Sequence, residues 1–269
     1  MLLIVDLDGV VYRGPDPIPG VPELLRERAA GGDVVVYATN NSSRHRSDYQ
    51  AILERLGAPV RIEHIVTSAR ATALWLCEHR PAVGRVMVLG GPGLRRELRD
   101  AGLRVLAPTP AGLAKSPQAL AVGIDRGMTY WRLAIAADAI RSGALFVATN
   151  RDPIYPSENG LMPGAGAVVA ALQVATNREP IVIGKPEPGL FEAAATLAGV
   201  SPQDAVVIGD GLGTDIAAAH RLGARSVLML TGVTTRDELA AAAPDMRPTL
   251  VAANATELGE ALERLSRPG

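Results

Sequence analysis

The chain has 269 residues, of which 48% are hydrophobic and 20% are charged, and its formal net charge is −1. Such a composition is typical of a globular protein with a full core, and it gives no support to nucleic-acid or anionic-membrane binding through bulk charge. Cys77 is the single cysteine, which excludes an intrachain disulfide. The first apolar run stops at Asp6 and is too short for a signal peptide, so we expect a soluble, cytoplasmic protein.

Short apolar runs alternate with helical patterns along almost the whole chain. The runs that predict buried strands are, in order, LLIV, DVVVYA, RVMVLG, ALAVGI, ALFVAT, PIVIG, DAVVIG and RSVLML. The stretches VPELLRERAAG, RSDYQAILERLG and LFEAAATLAGV have apolar residues at helical spacing and a glycine near the end. Strands that alternate with helices predict β-α-β crossovers and mostly parallel sheets, so the predicted fold class is α/β.

Polar clusters follow the strand-like runs near the two ends of the chain. They are DLDG, TNNSS, GKPEP and GDGLGTD, whereas runs in the middle lack such endings until ATNRDPIYPSENGLMPGAG. We therefore predict a discontinuous core of residues 1–72 and 181–269, with a second α/β domain inserted at residues 73–180.

Ligands bind beyond the carboxyl ends of strands in open parallel sheets, so the four clusters are expected to converge on one site. They bring together carboxylate, ammonium, hydroxyl and amide groups, from Asp6, Asp8, Asp210, Asp215, Lys185, Thr39, Asn40 and Asn41. Carboxylates gathered in a partly dry crevice need a divalent cation, and oxygen ligands without paired His or Cys favour Mg²⁺ over Zn²⁺. A site that joins Mg²⁺, a lysine and N–H donors suits a phosphoryl group.

Two aspartates, Asp6 and Asp8, stand directly after the first predicted strand. One can attack phosphorus and form an aspartyl-phosphate, while the other protonates the leaving oxygen and then activates water. Phosphotransferases and mutases use the same intermediate, so they stay open as alternatives. A non-catalytic phosphate sensor is a further alternative, although it would be expected to lose Asp6 or Lys185. Dehalogenation needs neither the second aspartate nor Mg²⁺, so Asp8 argues against it.

The segments DLDGVVYRG, ATNNSSR, IGKPEP and IGDGLGTDI resemble, in order, the four motifs of the haloacid dehalogenase superfamily. PIPG and DPIYPSENGLMPGAGAVVAAL resemble its subfamily IIA, the 4-nitrophenylphosphatase-like (NagD-like) enzymes. The resemblance covers nearly the whole chain. It implies a Rossmann-like core with a large α/β cap between the second and third motifs, and Mg²⁺-dependent hydrolysis of phosphate monoesters.

The resemblance also implies a role for each motif residue. Asp6 would be the nucleophile and Asp8 the acid/base residue. The phosphoryl oxygens would be held by polar side chains of the second and third motifs, namely Thr39, Asn40, Asn41 and Lys185. Mg²⁺ would be bound by Asp6, the main-chain carbonyl of Asp8 and Asp210, with Asp215 in support. Relatives usually carry larger polar residues in the fourth motif where this chain has Gly211 and Gly213.

In relatives the cap supplies the loop that selects the substrate, and NRDPIYPSENG matches it by position and by its Asp-Pro pair. The polar or aromatic candidates on this loop are Arg151, Asp152, Tyr155 and Glu158. Tyr155 stands where pyridoxal-phosphate-cleaving relatives have a histidine, so phosphoglycolate, glycerol phosphate, sugar phosphates and nucleoside monophosphates stay open. Relatives with this cap often pair through it, and the apolar stretch YWRLAIAADAI leads us to expect a homodimer through the cap.

The remaining features predict structural roles. PGAGAVVAAL does not follow one of the predicted strands, and Val169 stands at the third small-residue position of a dinucleotide-binding fingerprint, so we expect a helix start packed closely under the site instead. The histidines are scattered without metal spacing, at positions His45, His64, His79 and His220. Cys77 is expected in the core on an apolar helix face. Thr39 and Asn40 could also cap a helix that begins near Ser42.

Overall fold

Parallel strands and helices alternate along the chain, as the sequence predicts, so the fold class is α/β. The computed structural model describes residues 1–157 and 160–267. The strands are β1 (Leu2–Val5), β2 (Tyr12–Arg13), β3 (Asp16–Pro17), β4 (Val34–Thr39), β5 (Ile65–Thr67), β6 (Arg85–Leu89), β7 (Arg104–Leu106), β8 (Ala119–Val122), β9 (Leu145–Ala148), β10 (Ile154–Ser157), β11 (Gly160–Pro163), β12 (Ile181–Val182), β13 (Ala205–Gly209), β14 (Arg225–Met229) and β15 (Leu250–Ala252).

Helices connect most of these strands. They are α1 (Val21–Ala30), α2 (Arg46–Arg55), α3 (Ser68–His79), α4 (Pro92–Asp100), α5 (Pro110–Leu113), α6 (Tyr130–Arg141), α7 (Ala165–Thr176), α8 (Gly189–Ala198), α9 (Ala217–Leu222), α10 (Arg236–Ala241) and α11 (Ala255–Ser266). One π-helical turn, Leu212–Ile216, leads into α9. Within the described residues, no helix is both long and apolar enough to cross a membrane.

The chain packs into two compact units. The core unit comprises residues 1–39, 47–66 and 185–269, and the inserted unit comprises residues 40–46 and 67–184. The sequence-predicted boundaries, 72/73 and 180/181, differ from this division by a few residues, and the separate segment 40–46 was not predicted. The division passes between Thr39 and Asn40 and between Gly184 and Lys185, so it cuts through two of the four motifs.

The core unit is built on a six-stranded sheet in the order β15-β14-β13-β1-β4-β5. β1 lies between β13 and β4 and runs parallel to both, with Val5 opposite Ile208 and Tyr37. The buried side chains around this sheet are mostly Val, Leu and Ile, joined by tyrosines such as Tyr37 and Tyr49. Because the three central strands are parallel and in register, the residues that follow them lie at one edge of the sheet.

The inserted unit has its own five-stranded sheet, in the order β12-β9-β8-β6-β7, in which every neighbouring pair is parallel. A separate antiparallel pair, β10 with β11, carries the predicted specificity loop. The run PIVIG was predicted to open the second part of the core. It forms β12 instead, with Ile181 paired to Val147 of β9, so it belongs to the sheet of the inserted unit.

Two local expectations are wrong. The helix expected near Ser42 begins at Arg46, because Asn41 Oδ1 accepts hydrogen bonds from Ser43 N (3.0 Å) and Ser43 Oγ (2.7 Å) and holds the chain in a turn. Cys77 is exposed rather than part of the core. It follows Leu76, the last buried residue of α3, on the final turn of the helix, where the remaining side chains are exposed.

Candidate active site

Three buried carboxylates meet at the carboxyl edge of the core sheet. Asp6 directly follows β1 and Asp210 directly follows β13, and these two strands are parallel neighbours. Asp215 lies in the π-helical turn. One oxygen from each of the three carboxylates lies within 4.8 Å of the others. The pairing of β1 with β13 thus brings together aspartates that are about two hundred residues apart in sequence.

Lys185 provides the cation for this cluster. Its Nζ donates hydrogen bonds to Asp6 Oδ1 at 2.6 Å and to Asp215 Oδ1 at 2.7 Å. The side chain is buried, and Nζ lies 5.9 Å from the ring centroid of Phe191. One ammonium therefore faces three carboxylates, and the group keeps an excess of negative charge.

This excess is reflected in the pKa values. Burial, together with the charges of Asp215 and Asp210, raises the pKa of Asp6 well above its ordinary value, although Lys185 acts in the opposite direction. Burial and the charge of Asp215 raise the pKa of Asp210 to about 6. Burial lowers the pKa of Lys185, but the charges of Asp215 and Asp6 outweigh it and raise that pKa above its ordinary value. Binding of a proton or of a further cation would therefore stabilise the cluster.

The loop after β14 fixes Asp210. Asp210 Oδ2 accepts a hydrogen bond from Val233 N at 2.7 Å, and its main-chain oxygen accepts one from Thr234 N at 3.2 Å. A Cβ on Gly232 would collide with the Asp210 carboxylate, so only glycine allows this approach. The sequence reading overlooked this loop, although its TGVTT segment follows the strand run RSVLML as the other polar clusters follow theirs.

The fourth motif holds Asp215 by short-range contacts. Its Oδ2 accepts hydrogen bonds from Gly211 N (3.2 Å) and Thr214 Oγ1 (3.1 Å). A Cβ on Gly211 would collide with the Thr214 hydroxyl, whereas a Cβ on Gly213 would meet open space. Gly211, where relatives usually carry a larger polar residue, therefore makes room for the threonine that binds Asp215. At Gly213, by contrast, a larger side chain would fit without a collision.

Asp8 and Thr39 belong to the first and the second motif, respectively. Asp8 is exposed, in a turn where Val10 N and Val11 N donate to Leu7 O. Gly9, next to it, has φ +80 and packs against Asp210, where a Cβ would collide. Thr39 is buried as the last residue of β4. The sequence-predicted residues that meet directly in the core unit are thus Asp6, Lys185, Asp210 and Asp215.

The other predicted residues lie in the inserted unit. Asn40 Nδ2 donates to both carboxylate oxygens of Asp152, at 3.1 Å each. Asn41 holds the turn at Ser43, and Arg151 forms an exposed ion pair with Glu179 at 2.6 Å. Glu158 lies outside the described residues.

Tyr155 has a partner that the sequence did not reveal. Arg126 Nε donates to the Tyr155 hydroxyl at 3.0 Å, and the guanidinium carbon lies 5.7 Å from the ring centroid. Arg126 is in the loop after β8, the neighbour of β9 in the sheet. The polar ending IDRG after the run ALAV was the available signal.

His45 belongs to a second cluster, within the inserted unit. Its Nε2 lies 3.0 Å from Asp100 Oδ2 and 3.4 Å from Glu97 Oε1, and Arg46 pairs with both carboxylates. These three residues lie close enough to share an ion. Because the Arg46 guanidinium and the His45 ring both pair with Glu97 and Asp100, the cluster anchors residues 45 and 46 to α4.

Comparison with known proteins gives one consistent result. The profile described as haloacid dehalogenase-like hydrolase matches residues 3–104, and a second HAD-hydrolase-like profile matches residues 182–258. Human chronophin (Homo sapiens) is 38% identical, over 97% of this chain and 93% of its own.

Solved structures agree. The p-nitrophenyl phosphatase from Archaeoglobus fulgidus is 33% identical, with a TM-score of 0.88 over 97% of this chain and 98% of its own. A glycerol phosphate phosphatase from Mycobacterium tuberculosis, solved in complex with magnesium, is 36% identical, with a TM-score of 0.86 over 96% of this chain and 77% of its own.

Proposed function

Because the chain belongs to the haloacid dehalogenase-like hydrolases and is a phosphatase of that family, we propose that it hydrolyses small phosphate monoesters with Mg²⁺, through an aspartyl-phosphate on Asp6. The observation that carries this proposal is the buried group of Asp6, Asp210, Asp215 and Lys185 at the edge of the core sheet. A phosphatase needs a fixed nucleophile beside cationic groups, and this group supplies both.

The donor set fits Mg²⁺. The three carboxylates carry more negative charge than Lys185 offsets, and their oxygens are the hard ligands that Mg²⁺ prefers. Asp6, Asp210 and the main-chain carbonyl of Asp8 would hold the ion, with Asp215 in support through Lys185. When bound, the ion would neutralise charge on the transferring phosphoryl group. The magnesium complex of the similar glycerol phosphate phosphatase supports this choice of metal.

The protein residues then divide the reaction between them. Asp6 attacks phosphorus while the bond from phosphorus to the leaving oxygen breaks, and Asp8 gives that oxygen a proton. Asp8 next takes a proton from water, which attacks the aspartyl-phosphate, releases inorganic phosphate and restores Asp6. The exposed side chain of Asp8 suits this exchange with the leaving group and with water. Lys185 holds Asp6 in place through its hydrogen bond to Oδ1.

We also propose that the inserted unit acts as the cap and selects the substrate. The similar proteins include phosphatases named for 4-nitrophenyl phosphate and for glycerol phosphate, so small monoesters are the class to screen. A homodimer through this unit also stays a prediction, as does a cytoplasmic location.

Asp6→Asn tests the proposal. The amide keeps the shape of the side chain but is a poor nucleophile, so phosphate release from 4-nitrophenyl phosphate in Mg²⁺ should fall by at least about a hundredfold. Asp204→Asn is the matched control, because this exposed residue precedes β13 and lies at the opposite end of that strand from Asp210. Both variants should keep the unfolding temperature of the wild type, which shows that the fold is intact.

More than about a hundredth of the wild-type rate in Asp6→Asn would rule out the nucleophile assignment. Adding a small alcohol as acceptor separates hydrolysis from transfer. A phosphatase releases one inorganic phosphate for each ester consumed, whereas a phosphotransferase would release less.

A further inference from the structure

Asn40 is held at both its main chain and its side chain by neighbours in the inserted unit. Its carbonyl oxygen accepts hydrogen bonds from Ser68 Oγ at 2.5 Å and from Asn150 Nδ2 at 2.6 Å. Both donors are buried, with exposed fractions of 0% for Ser68 and 1% for Asn150. Its side-chain amide donates to both oxygens of Asp152. A side chain at an exposed turn would not need so many fixed partners.

Gly184 closes the other side of the Asn40 amide. A Cβ at this position would lie 2.5 Å from Asn40 Oδ1 and 3.1 Å from the Cβ of Asn150. The absence of a side chain there lets the amide oxygen pack against the main chain, while the amide nitrogen is turned to Asp152. The two contacts together select one orientation of the amide group.

The loop that carries Asp152 is itself fixed through its main chain. Asp152 N donates to Asn150 Oδ1 at 3.1 Å, and Gly166 N donates to Asp152 O at 3.0 Å. Gly164 N donates to Pro153 O at 2.8 Å. A Cβ on Gly164 or Gly166 would collide with the main chain of residues 151–152. The PGAG segment thus seats this loop against the start of α7.

We infer that Asp152 is a positioning residue, which orients the Asn40 amide for the phosphoryl oxygens, rather than a residue that selects the substrate. This inference rests on the proposed function, in which Asn40 holds a phosphoryl oxygen. An amide carries two N–H groups, so donation by one to Asp152 is compatible with donation by the other to the substrate. Without Asp152, the amide would lose the acceptor that binds its nitrogen but not its oxygen, and its orientation would no longer be fixed on that side.

The two roles differ in what they do to different substrates. A residue that contacts the leaving alcohol affects some esters and leaves the affinity for inorganic phosphate unchanged. A residue that acts through Asn40 touches only the phosphoryl end, so it affects all esters equally and weakens phosphate binding as well.

The test is a double-mutant cycle with Asp152→Ala and Asn40→Ala. Two readouts apply: kcat/KM on 4-nitrophenyl phosphate and on glycerol phosphate, and the Kd of inorganic phosphate in Mg²⁺ by calorimetry. Asp152→Ala should lower kcat/KM by about tenfold on both esters and raise the Kd for phosphate several-fold. In the Asn40→Ala background the same change should have an effect of less than about twofold.

Two further variants sharpen the result. Asp152→Asn keeps an acceptor oxygen and should retain most of the activity. Asp138→Ala removes an exposed aspartate of the same unit, paired with Arg141, and should change neither readout. Independent losses in the double variant, or a loss on one ester alone, would overturn the inference. So would an unchanged phosphate Kd in Asn40→Ala. Because the Kd does not depend on turnover, the inference can fail or hold separately from the phosphatase activity.

Discussion

Replacing Lys185 by methionine removes the single ammonium that faces three buried carboxylates. Methionine has a similar length and would sit against Phe191, so the packing around position 185 should be kept. The change therefore tests the charge of the side chain more than its volume.

The expected cost follows from the two hydrogen-bonded ion pairs at 2.6 and 2.7 Å. At an effective dielectric constant near 20, unit charges at such a distance attract by about 6 kcal/mol, before the cost of desolvation is subtracted. Removal of one partner from a buried pair typically costs about 3–5 kcal/mol. We expect the free energy of unfolding to fall by that amount near neutral pH in the absence of metal.

The sign of the pH dependence follows from the raised carboxyl pKa values. In the wild type, the pKa of Asp210 is raised to about 6 from 3.8. The native state then binds more protons than the unfolded chain between these values, so the free energy of unfolding falls as pH rises through this window. Lys185 lowers the pKa of both Asp6 and Asp210. Its removal should extend the window upward, and the deficit of the variant should be larger at about pH 7.5 than at about pH 5.

Urea denaturation at both pH values, with EDTA and with about 10 mM Mg²⁺, measures these effects. Under the proposed function Mg²⁺ would bind the native site and not the unfolded chain, so adding it should recover about 1–3 kcal/mol of stability at the higher pH. Lys115→Met is the matched control, since Lys115 is exposed, and its change should stay within about 0.5 kcal/mol. A loss below about 1 kcal/mol for Lys185→Met in EDTA, or a larger loss at the lower pH, would refute the reasoning.

Two further predictions concern the inserted unit. Tyr155→Ala should lower kcat/KM by about tenfold, or about 1.4 kcal/mol, on the best ester of a substrate panel, and far less on 4-nitrophenyl phosphate; equal losses on both would place substrate selection elsewhere. Tyr130 and Trp131 on α6 are 84% and 78% exposed, so we expect them in the interface of a homodimer. Light scattering should then give about twice the monomer mass of 28.1 kDa, and a monomer mass would contradict the dimer.

The sequence predicted the elements whose signal is local and repeated. The apolar runs LLIV, DAVVIG and RSVLML became β1, β13 and β14, because a strand buried on both faces needs a continuous run of aliphatic residues. The strands that were missed, such as β7 and β15, have three residues each, which is too short for a pattern to stand out.

The candidate site was predictable to the extent that strand ends mark it. Asp6 and Asp210 could be found because each directly follows a strand run. The parallel pairing of the two strands then places both aspartates at the same edge of the sheet. The loop with Gly232 and Val233 also follows a strand run, but its contact with Asp210 could not be predicted, because the donor is the main-chain N–H of Val233 and any residue type could supply it. Arg126 was overlooked for a different reason: its partner, Tyr155, lies on another segment, and only the fold brings the two together.

The contacts of Asn40 show that the two halves of the second motif are held by different units of the chain. ATNNSSR reads as one phosphate-binding segment, yet Thr39 packs in the core unit, while Asn40 is held by Ser68, Asn150 and Asp152 of the inserted unit. An amide orients a phosphoryl oxygen only as precisely as its own partners orient the amide. The precision of this half of the motif is therefore set by residues far from it in sequence. If Asn40 holds a phosphoryl oxygen, as proposed, a substitution at Asp152 alters the chemistry common to all substrates, although that residue lies in a loop whose sequence resembles a specificity loop.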